Sequence, residues 1–599
     1  MEKVKKQAKI WLCIALALML LSSVVVSVVQ TDGGKISMRE MNFETDAGYQ
    51  MCAYLFVPDG VTAENPAPAI VTSHGFLNNK EMQDANYVEL ARRGYVVLAI
   101  DQPNHGESEV TAASPWGNLD AVYQSAIILS RMPFVDVTRI GVTGHSMGGM
   151  SSQAALQYDA MAEEPIIAAA LLNCADAQYT DKDGNYINPY GSRDVGILSA
   201  VYDEFFHMFP DENGVVRESP FFMEHPNSQA FLSFGEEPTE PKAADTIYHK
   251  EIDGEDAIRV IYRPSIIHPW AHFSSRATAD VIDFFENSLG APNPIPANKQ
   301  IWQWKEAFNC VGLVGFAIFI CAFATLMVFT KPFESLRADE VAAPGKVQDK
   351  GGILWFWLSL AAGALFSTLI YRSILAYGTG LKVAQQEAMG LGLWSTLCGV
   401  FTILSMVLFY FTYGKKHGMD LAEVGVKMPF KKLLLSLLLG LIVAVAAYAC
   451  VFVADYFFFA DFRIWTLAIK AFELPILKYL PFILLFFTFY IAHSVATNCF
   501  NYNNIGGKFN IIIIAVINAL PAIILPTIQY IHYFTAKGMM WPESNMHVLW
   551  LFPIIIILFA SAVISRVIYK NTKNPYIAGL ANAIIIGILT ITNTCTYMF

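Results

Sequence analysis

The run RIGVTGHSMGGMSSQAAL, Arg139 to Leu156, sets four glycines around Ser146. A serine hydroxyl becomes a useful nucleophile only when a base takes its proton and a third group orients that base. Gly144 and Gly148 flank Ser146 at the G-x-S-x-G spacing. A strained turn there exposes the hydroxyl, and the flanking positions lack side chains so that neighbouring backbone can pass close. RIGVTG reads as a strand and the residues after Ser146 as a helix, which makes the serine the turn between them. A serine that only capped the helix would fit the same five residues. The chemistry therefore depends on partners elsewhere in the chain.

The elements that would position such a serine run from Lys35 onward. ISMREMNF and QMCAYLFVP alternate apolar and polar residues and predict an opening hairpin. APAIVTSHG reads as a buried strand ending at a glycine, and NYVELARRG as a helix stopped by one. YVVLAIDQPNHGES predicts a strand and loop, followed by a helix near Asn118–Arg131, strand RIGVTG, and strands IIAAALLNC and VGILSA. A last strand, IRVIYR, precedes a helix near Ser275–Leu289. Strands alternating with helices predict an α/β domain with a mostly parallel sheet and helices on both faces. Ligands in such sheets bind at the carboxyl ends of the strands, where the unusual residues lie.

The run DVTRIGVTGHSMGG resembles the α/β-hydrolase family, near its dienelactone-hydrolase and prolyl-oligopeptidase-like branches, and the resemblance spans about Lys35 to Leu289. It implies a serine hydrolase that cleaves an ester, thioester or amide through an acyl-enzyme, with neither cofactor nor metal. In the family the loop after the third strand, here SHGF at Ser73–Phe76, gives one backbone N–H to the oxyanion hole. That N–H would be Phe76's, and the other would come from Met147, which follows the nucleophile. His74 reads as structural. DQPNHGES, Asp101–Ser108, is similar to the family's Asp-x-Arg-Gly-His-Gly-x-Ser loop, with Pro103 and Asn104 in place of Arg and Gly. Asp101 and His105 are read as shaping that loop.

The family's chain order is serine, acid, histidine. Asp203 follows VGILSA where the acid is expected, and Asp176, after LLNCA, is its rival. For the base, His268 lies at the family's usual distance after the last strand, and His272 lies almost on the start of the next helix. The stretch between Asp203 and His268 is longer than usual. It holds HMFPDENGVVRESPFF, GEEPTEP and a predicted hairpin at Asp253–Gly254. With DAQYTDKDGNYINPYGSRD, these loops are expected to cover the carboxyl end of the sheet and set substrate choice.

The rest of the 599-residue chain is of another kind. Net charge is about −22 over Thr31–Gln300, +3 over the first thirty residues and +8 over the remainder. No basic patch is large enough to hold nucleic acid. Four lysines precede some twenty apolar residues (IWLCIALALMLLSSVVVSVV), read as an uncleaved anchor rather than a signal peptide. Further apolar runs lie near Phe308–Phe329, Ile353–Tyr377, Leu391–Tyr413, Leu433–Phe459, Leu480–Phe500, Ile511–Tyr530, Leu549–Tyr569 and Tyr576–Met598, hence about nine spans in all. Three domains are expected: 1–30 the anchor, 31–300 the hydrolase-like domain, and 301–599 the membrane domain. KPFESLRADEVAAPGKVQDK, GKKHGMDLAEVGVKMPFKK and SRVIYKNTK carry most of the loops' Lys and Arg and alternate with GTGLKVAQQEAMG and AKGMMWPESNMH. The lysine and arginine bias predicts a cytoplasmic N-terminus and an acidic domain outside, fitting a bacterial plasma membrane.

Within the runs, Arg372, Asp455, His493, Asn498, Asn518, Gln529 and Asn582 read either as a substrate path or as interhelical hydrogen-bonding groups. Most of the nine cysteines fall in apolar runs, and no spacing suggests a disulfide framework or structural metal. The lipid bilayer is the expected partner, with a small-molecule or acyl-lipid substrate. Alternative functions are a peptidase, a transporter or scaffold with a cargo-processing domain, or a hydrolase fold used for binding.

Overall fold

The computed structural model describes residues 1–211, 213–342, 349–501 and 505–599. Part of the loop 331–350, part of the polar loop after His207 and residues 502–504 lie outside the described residues. The chain divides into two compact units. One is helical and holds Met1–Val26, Glu306–Tyr530 and Met546–Thr594. The other is built on a sheet and holds Ser27–Lys305 together with Ile531–Asn545 and Cys595–Phe599. Two short segments of the C-terminal half thus join the sheet unit.

In the helical unit, α1 (Glu2–Gln30) is the first of eight helical segments that, among the described residues, are long and apolar enough to cross a membrane. In the sheet unit nine described strands line up in the order β1-β2-β4-β3-β5-β6-β7-β11-β10. They are β1 (Ile36–Glu44), β2 (Gln50–Pro58), β3 (Ala67–Ser73), β4 (Val96–Ile100), β5 (Val135–His145), β6 (Ile167–Asn173), β7 (Asp194–Leu198), β10 (Tyr248–Ile252) and β11 (Glu255–Tyr262). A small separate hairpin, β8 (Phe209–Pro210) with β9 (Val216–Arg217), lies in the long connection after β7. The central strands are parallel, while β1, β2 and β10 run antiparallel to their neighbours. The APAIVTS strand is buried throughout, as a strand covered on both faces must be. The edge strand β1 alternates and keeps polar side chains outward. Asp253 and Gly254, both at positive φ (56° and 88°), form the predicted turn between β10 and β11.

Helices α2 (Asp84–Arg92), α3 (Ala121–Ser130), α4 (Met147–Ala160), α5 (Pro226–Leu232) and α6 (Ser275–Leu289) complete this unit. A Cβ at Gly141 of β5 would lie 2.6 Å from the Phe285 ring, and one at Gly196 of β7 would lie 2.9 Å from Phe284. The two glycines let α6 seat its aromatic pair directly on the sheet centre.

The remaining helices are α7 (Trp302–Met327), α8 (Lys350–Thr379), α9 (Gln386–Thr412), α10 (Phe430–Phe458), α11 (Leu484–Cys499), α12 (Asn510–Ala536), α13 (Asn545–Leu549), α14 (Leu551–Thr572) and α15 (Tyr576–Thr592). The first turn of α7 is held in the sheet unit. The Ile301 and Trp302 N–H groups donate to the Glu89 carboxylate at 2.6 and 3.0 Å, an acid at a helix N-terminus. The last apolar run departs from expectation: its helix ends at Thr592, not Met598, and its 17 residues reach about 25 Å.

Inside the helical unit the polar residues hydrogen-bond to one another. Asn498 donates to the Ser494 carbonyl and the Ser565 hydroxyl and accepts from Arg566, Asn518 donates to the Leu558 carbonyl, and Asn582 to that of Ser561. His493 meets Thr497 at 3.3 Å. Arg566, expected in a basic loop, is buried within α14, because Asn498, Asn510 and the Thr497 carbonyl accept its guanidinium. Each of these contacts satisfies a polar group that would otherwise be costly to bury.

Candidate active site

Ser146 stands between β5 and α4 with φ 57° and ψ −115°, a backbone conformation that few side chains tolerate. Two neighbours hold it there. Its N–H donates to the Asn173 carbonyl at 2.9 Å and its carbonyl accepts from Met150 at 2.9 Å. A Cβ on Gly148 would stand 2.3 Å from the Ser73 carbonyl oxygen, and one on Gly144 would stand 2.6 Å from Gly148 backbone. The glycines are therefore dictated by close backbone approach, as the five-residue pattern predicts.

The loops that carry Asp203 and His268 extend the pairing of β7 with β11. Ser199, Val201 and Tyr202 donate their N–H groups to the carbonyls of Tyr262, Pro264 and Ile266 at 2.9–3.0 Å. This ladder brings Asp203 to His268: the imidazole Nδ1–H donates into the carboxylate, 3.0 Å from each oxygen. Asp203 is fully buried. Burial alone would raise its pKa, but the His268 charge and hydrogen bond, helped by His207 and the Phe205 N–H, hold it down at about 2. Burial acts to lower the His268 pKa, and the Asp203 carboxylate, with Glu204, overcomes this and raises it above 6.5. Phe205 and Phe206 box the ring at 4.9 and 5.6 Å between centroids.

Asp176 does not meet His268. It accepts the His207 N–H at 3.1 Å. His272 packs 4.8 Å from the ring of His145, and His268 packs 4.6 Å from the same ring, so both imidazoles neighbour the residue next to Ser146. Among the described residues the Ser146 hydroxyl makes no hydrogen bond to His268 or His272. Such bonds are often long in substrate-free sites and tighten in the complex.

The Met147 N–H opens α4, so it has no acceptor within that helix. Phe76 follows Gly75, where a Cβ would come within 3.1 Å of the Ser146 Cβ. The loop bearing Phe76 is thus pressed against the serine. Leu77, at φ 64°, donates its N–H to His105 Nε2 at 3.2 Å. His74 bridges the same two loops, accepting from Gln102 N–H on Nε2 at 2.9 Å and reaching the Gly75 carbonyl with Nδ1. Asp101 accepts from the Lys80 N–H, the Lys80 ammonium and the Glu107 N–H. These three residues shape loops.

Asn104, which stands where the family commonly has glycine, takes φ 69°. Its side chain bonds the Ala112 carbonyl at 2.7 Å and the Thr111 N–H at 3.0 Å, which compensates for the conformation.

Two clusters offer metal-ligand atoms within 4.8 Å of one another: His145, Cys174 and His268, and Glu40, Cys52 and Glu107. In the first, burial and the Asp203 charge push the Cys174 thiol well above its ordinary range, and His268 is committed to Asp203. In the second, the buried Lys80 ammonium lies 2.5 Å from Glu107. Both clusters are already supplied with protons or charge.

Sequence reasoning missed Glu204, whose carboxylate accepts the His268 backbone N–H at 2.7 Å. It also missed Tyr533 and Asn545, which donate to the carbonyls of Asp203 and Glu204 at 2.7 and 3.0 Å. Adjacency to Asp203 was a signal for Glu204. Nothing local marks the other two.

Residues 70–291 match the model of the Alpha/beta hydrolase family. Among solved structures, an esterase of Pyrococcus furiosus is 13% identical over 43% of this chain and 96% of its own, with a TM-score of 0.30. A predicted hydrolase of Thermoplasma acidophilum is 17% identical over 42% of this chain and 99% of its own, with a TM-score of 0.28. An esterase of Pyrobaculum calidifontis is 15% identical over 48% and 92%, with a TM-score of 0.29. The family match covers the part of the chain that carries the parallel sheet, the strained serine turn and the Asp203–His268 pair, and that part has the alpha/beta hydrolase fold.

Proposed function

We propose that this protein is a membrane-bound serine hydrolase, with Ser146, His268 and Asp203 as its triad. The observation that carries the reading is the Asp203–His268 pair, whose imidazole packs on the ring of His145, the residue before a serine held in a strained elbow. With Nδ1–H given to Asp203, the His268 ring offers Nε2 as the base. That nitrogen takes the Ser146 proton as Oγ attacks an ester, thioester or amide carbonyl. The Phe76 and Met147 N–H groups would receive the oxyanion. His268 then returns the proton to the leaving group, and a water activated by the same nitrogen hydrolyses the acyl-enzyme. The carboxylate that Asp203 presents to the His268 ring favours His268 over His272 as the base. The apolar helices point to substrates that partition into or near lipid.

The hydrolase domain would lie outside the cytoplasm of a plasma membrane, opposite the lysines that precede α1. Reaction of the full chain with a fluorophosphonate tests the enzyme reading. Wild type should label and Ser146→Ala should not. A folded wild type that stays unlabelled, while hydrolysing no acyl ester, would return the domain to a binding role.

A further inference from the structure

We propose that residues 531–545 are part of the catalytic machinery, and that Tyr533 and Asn545 are positioning residues for the acid loop. This inference rests on the triad assigned above. The segment belongs to the sheet unit although it lies some 330 residues beyond the acid in sequence. Its two ends grip two consecutive residues. Tyr533, itself fully buried, donates its hydroxyl to the Asp203 carbonyl at 2.7 Å, and Asn545 donates its amide to the Glu204 carbonyl at 3.0 Å. Between them the segment closes on Tyr202. Phe534 meets that ring edge-on at 5.0 Å, Tyr533 at 6.1 Å, and the Lys537 ammonium lies 5.1 Å from its centre. Residues 202, 203 and 204 are therefore all held from the same segment.

The consequence for chemistry follows from what those residues hold in turn. One side of the acid loop is fixed by the ladder to residues 262–266, and residues 531–545 fix it through other carbonyls. The Asp203 carboxylate faces His268 Nδ1, and the Glu204 carboxylate holds the His268 backbone N–H at 2.7 Å. Tyr533 thus sets where the acid stands, and Asn545, through Glu204, sets where the base stands. A triad tolerates little displacement, since a misplacement near 1 Å costs about 10²-fold in rate. The acid loop of this enzyme is completed by a segment that no excised 31–300 domain would contain.

The test uses the full-length chain, with active sites titrated by fluorophosphonate so that rates are per reactive serine. Tyr533→Phe keeps the ring and removes only the donor. It should lower kcat roughly 10- to 100-fold with little change in KM. The pH midpoint of kcat/KM should also fall toward that of an ordinary imidazole, because Asp203 no longer holds the proton on His268 as firmly. Asn545→Leu, at the other end, should act in the same direction. A merely structural contact would reduce the amount of folded protein while leaving kcat per titrated site and the midpoint in place. If both variants match wild type in these two quantities within twofold, the positioning role is overturned. A wild type that does not label overturns the triad itself and this inference with it, and is told apart by that first measurement.

Discussion

Asp203 and Asp176 are both acids after central strands, and the two differ in what they face. Asp203 meets His268 through both oxygens, whereas Asp176 meets His207, whose backbone N–H and imidazole Nδ1 both lie 3.1 Å from one oxygen. Asp203→Asn should therefore lower kcat about 10⁴-fold, because the amide favours the wrong tautomer of the base. Asp176→Asn should stay within about tenfold of wild type. Steady-state kinetics on one acyl ester separates the two, and equal losses would contradict the assignment. The pair also fixes a pH dependence. His268 is raised above 6.5, so it keeps its proton to higher pH than a free imidazole. Neutral base, and with it kcat/KM, should rise with pH through a midpoint above 6.5 in wild type. Asp203 is depressed to about 2, so its ionisation adds stability above pH 3.8 that disappears only as pH falls toward 2. Acid loss of activity near neutrality would then come from His268 and not from unfolding at Asp203. A fluorescence melt across pH 4–7 tests that separation.

The elements explain why so much of this site is legible in the sequence and where legibility ends. The five-residue turn could be read because steric demand is local. Gly148 has the Ser73 and His74 carbonyls within 2.8 Å of where a Cβ would stand. Gly148→Ala must push backbone against backbone, and should cost about 1–3 kcal/mol of stability and most of the labelling rate. A thermal melt with labelling kinetics checks both. The alternation in β1, the buried run of β3 and the Asp253–Gly254 turn were legible for the same reason: each follows from its own few residues, whereas β2, expected to alternate, is buried from Met51 to Phe56. The choice between His268 and His272 was not, since four residues separate them and only the β7–β11 ladder selects which ring meets Asp203. Arg566 misled the loop reading because a charge next to polar residues resembles an interface until Asn498 and Asn510 are placed around it. Tyr533 and Asn545 lay beyond any such reading. Their spacing marks no motif, and their meaning exists only where the chain returns to Asp203.

At the scale of the whole chain, the two segments that rejoin the sheet unit constrain how the chain crosses a membrane. Residues 531–545 bond Asp203 and Glu204. At the C-terminus the Thr596 and Met598 N–H groups donate to the carbonyls of Asn104 and Ala112 at 2.8 and 3.0 Å. In a bilayer each would therefore lie on the hydrolase domain's side. From the end of α1, which leads into that domain, six crossings by α7 to α12 return the chain to the same side at residue 531. Helix α14 then leaves it, and the tail after Thr592 is back again. The parity closes only if α15 crosses too, although it has 17 residues and falls outside the eight long helices. A helix of about 25 Å spans a hydrocarbon core near 30 Å thick by local thinning at modest cost. Nine crossings would put the N-terminal lysines opposite the hydrolase domain, the orientation that the lysine and arginine bias of the loops predicts. Single cysteines read by a membrane-impermeant maleimide on sealed vesicles decide the matter. Asp181→Cys in the hydrolase domain, Met540→Cys and Phe599→Cys should label from one side, and Lys416→Cys only from the other. If Phe599→Cys labelled with Lys416→Cys, α15 would not span, and the bonds that tie the tail to Asn104 and Ala112 could not form in the membrane-bound protein.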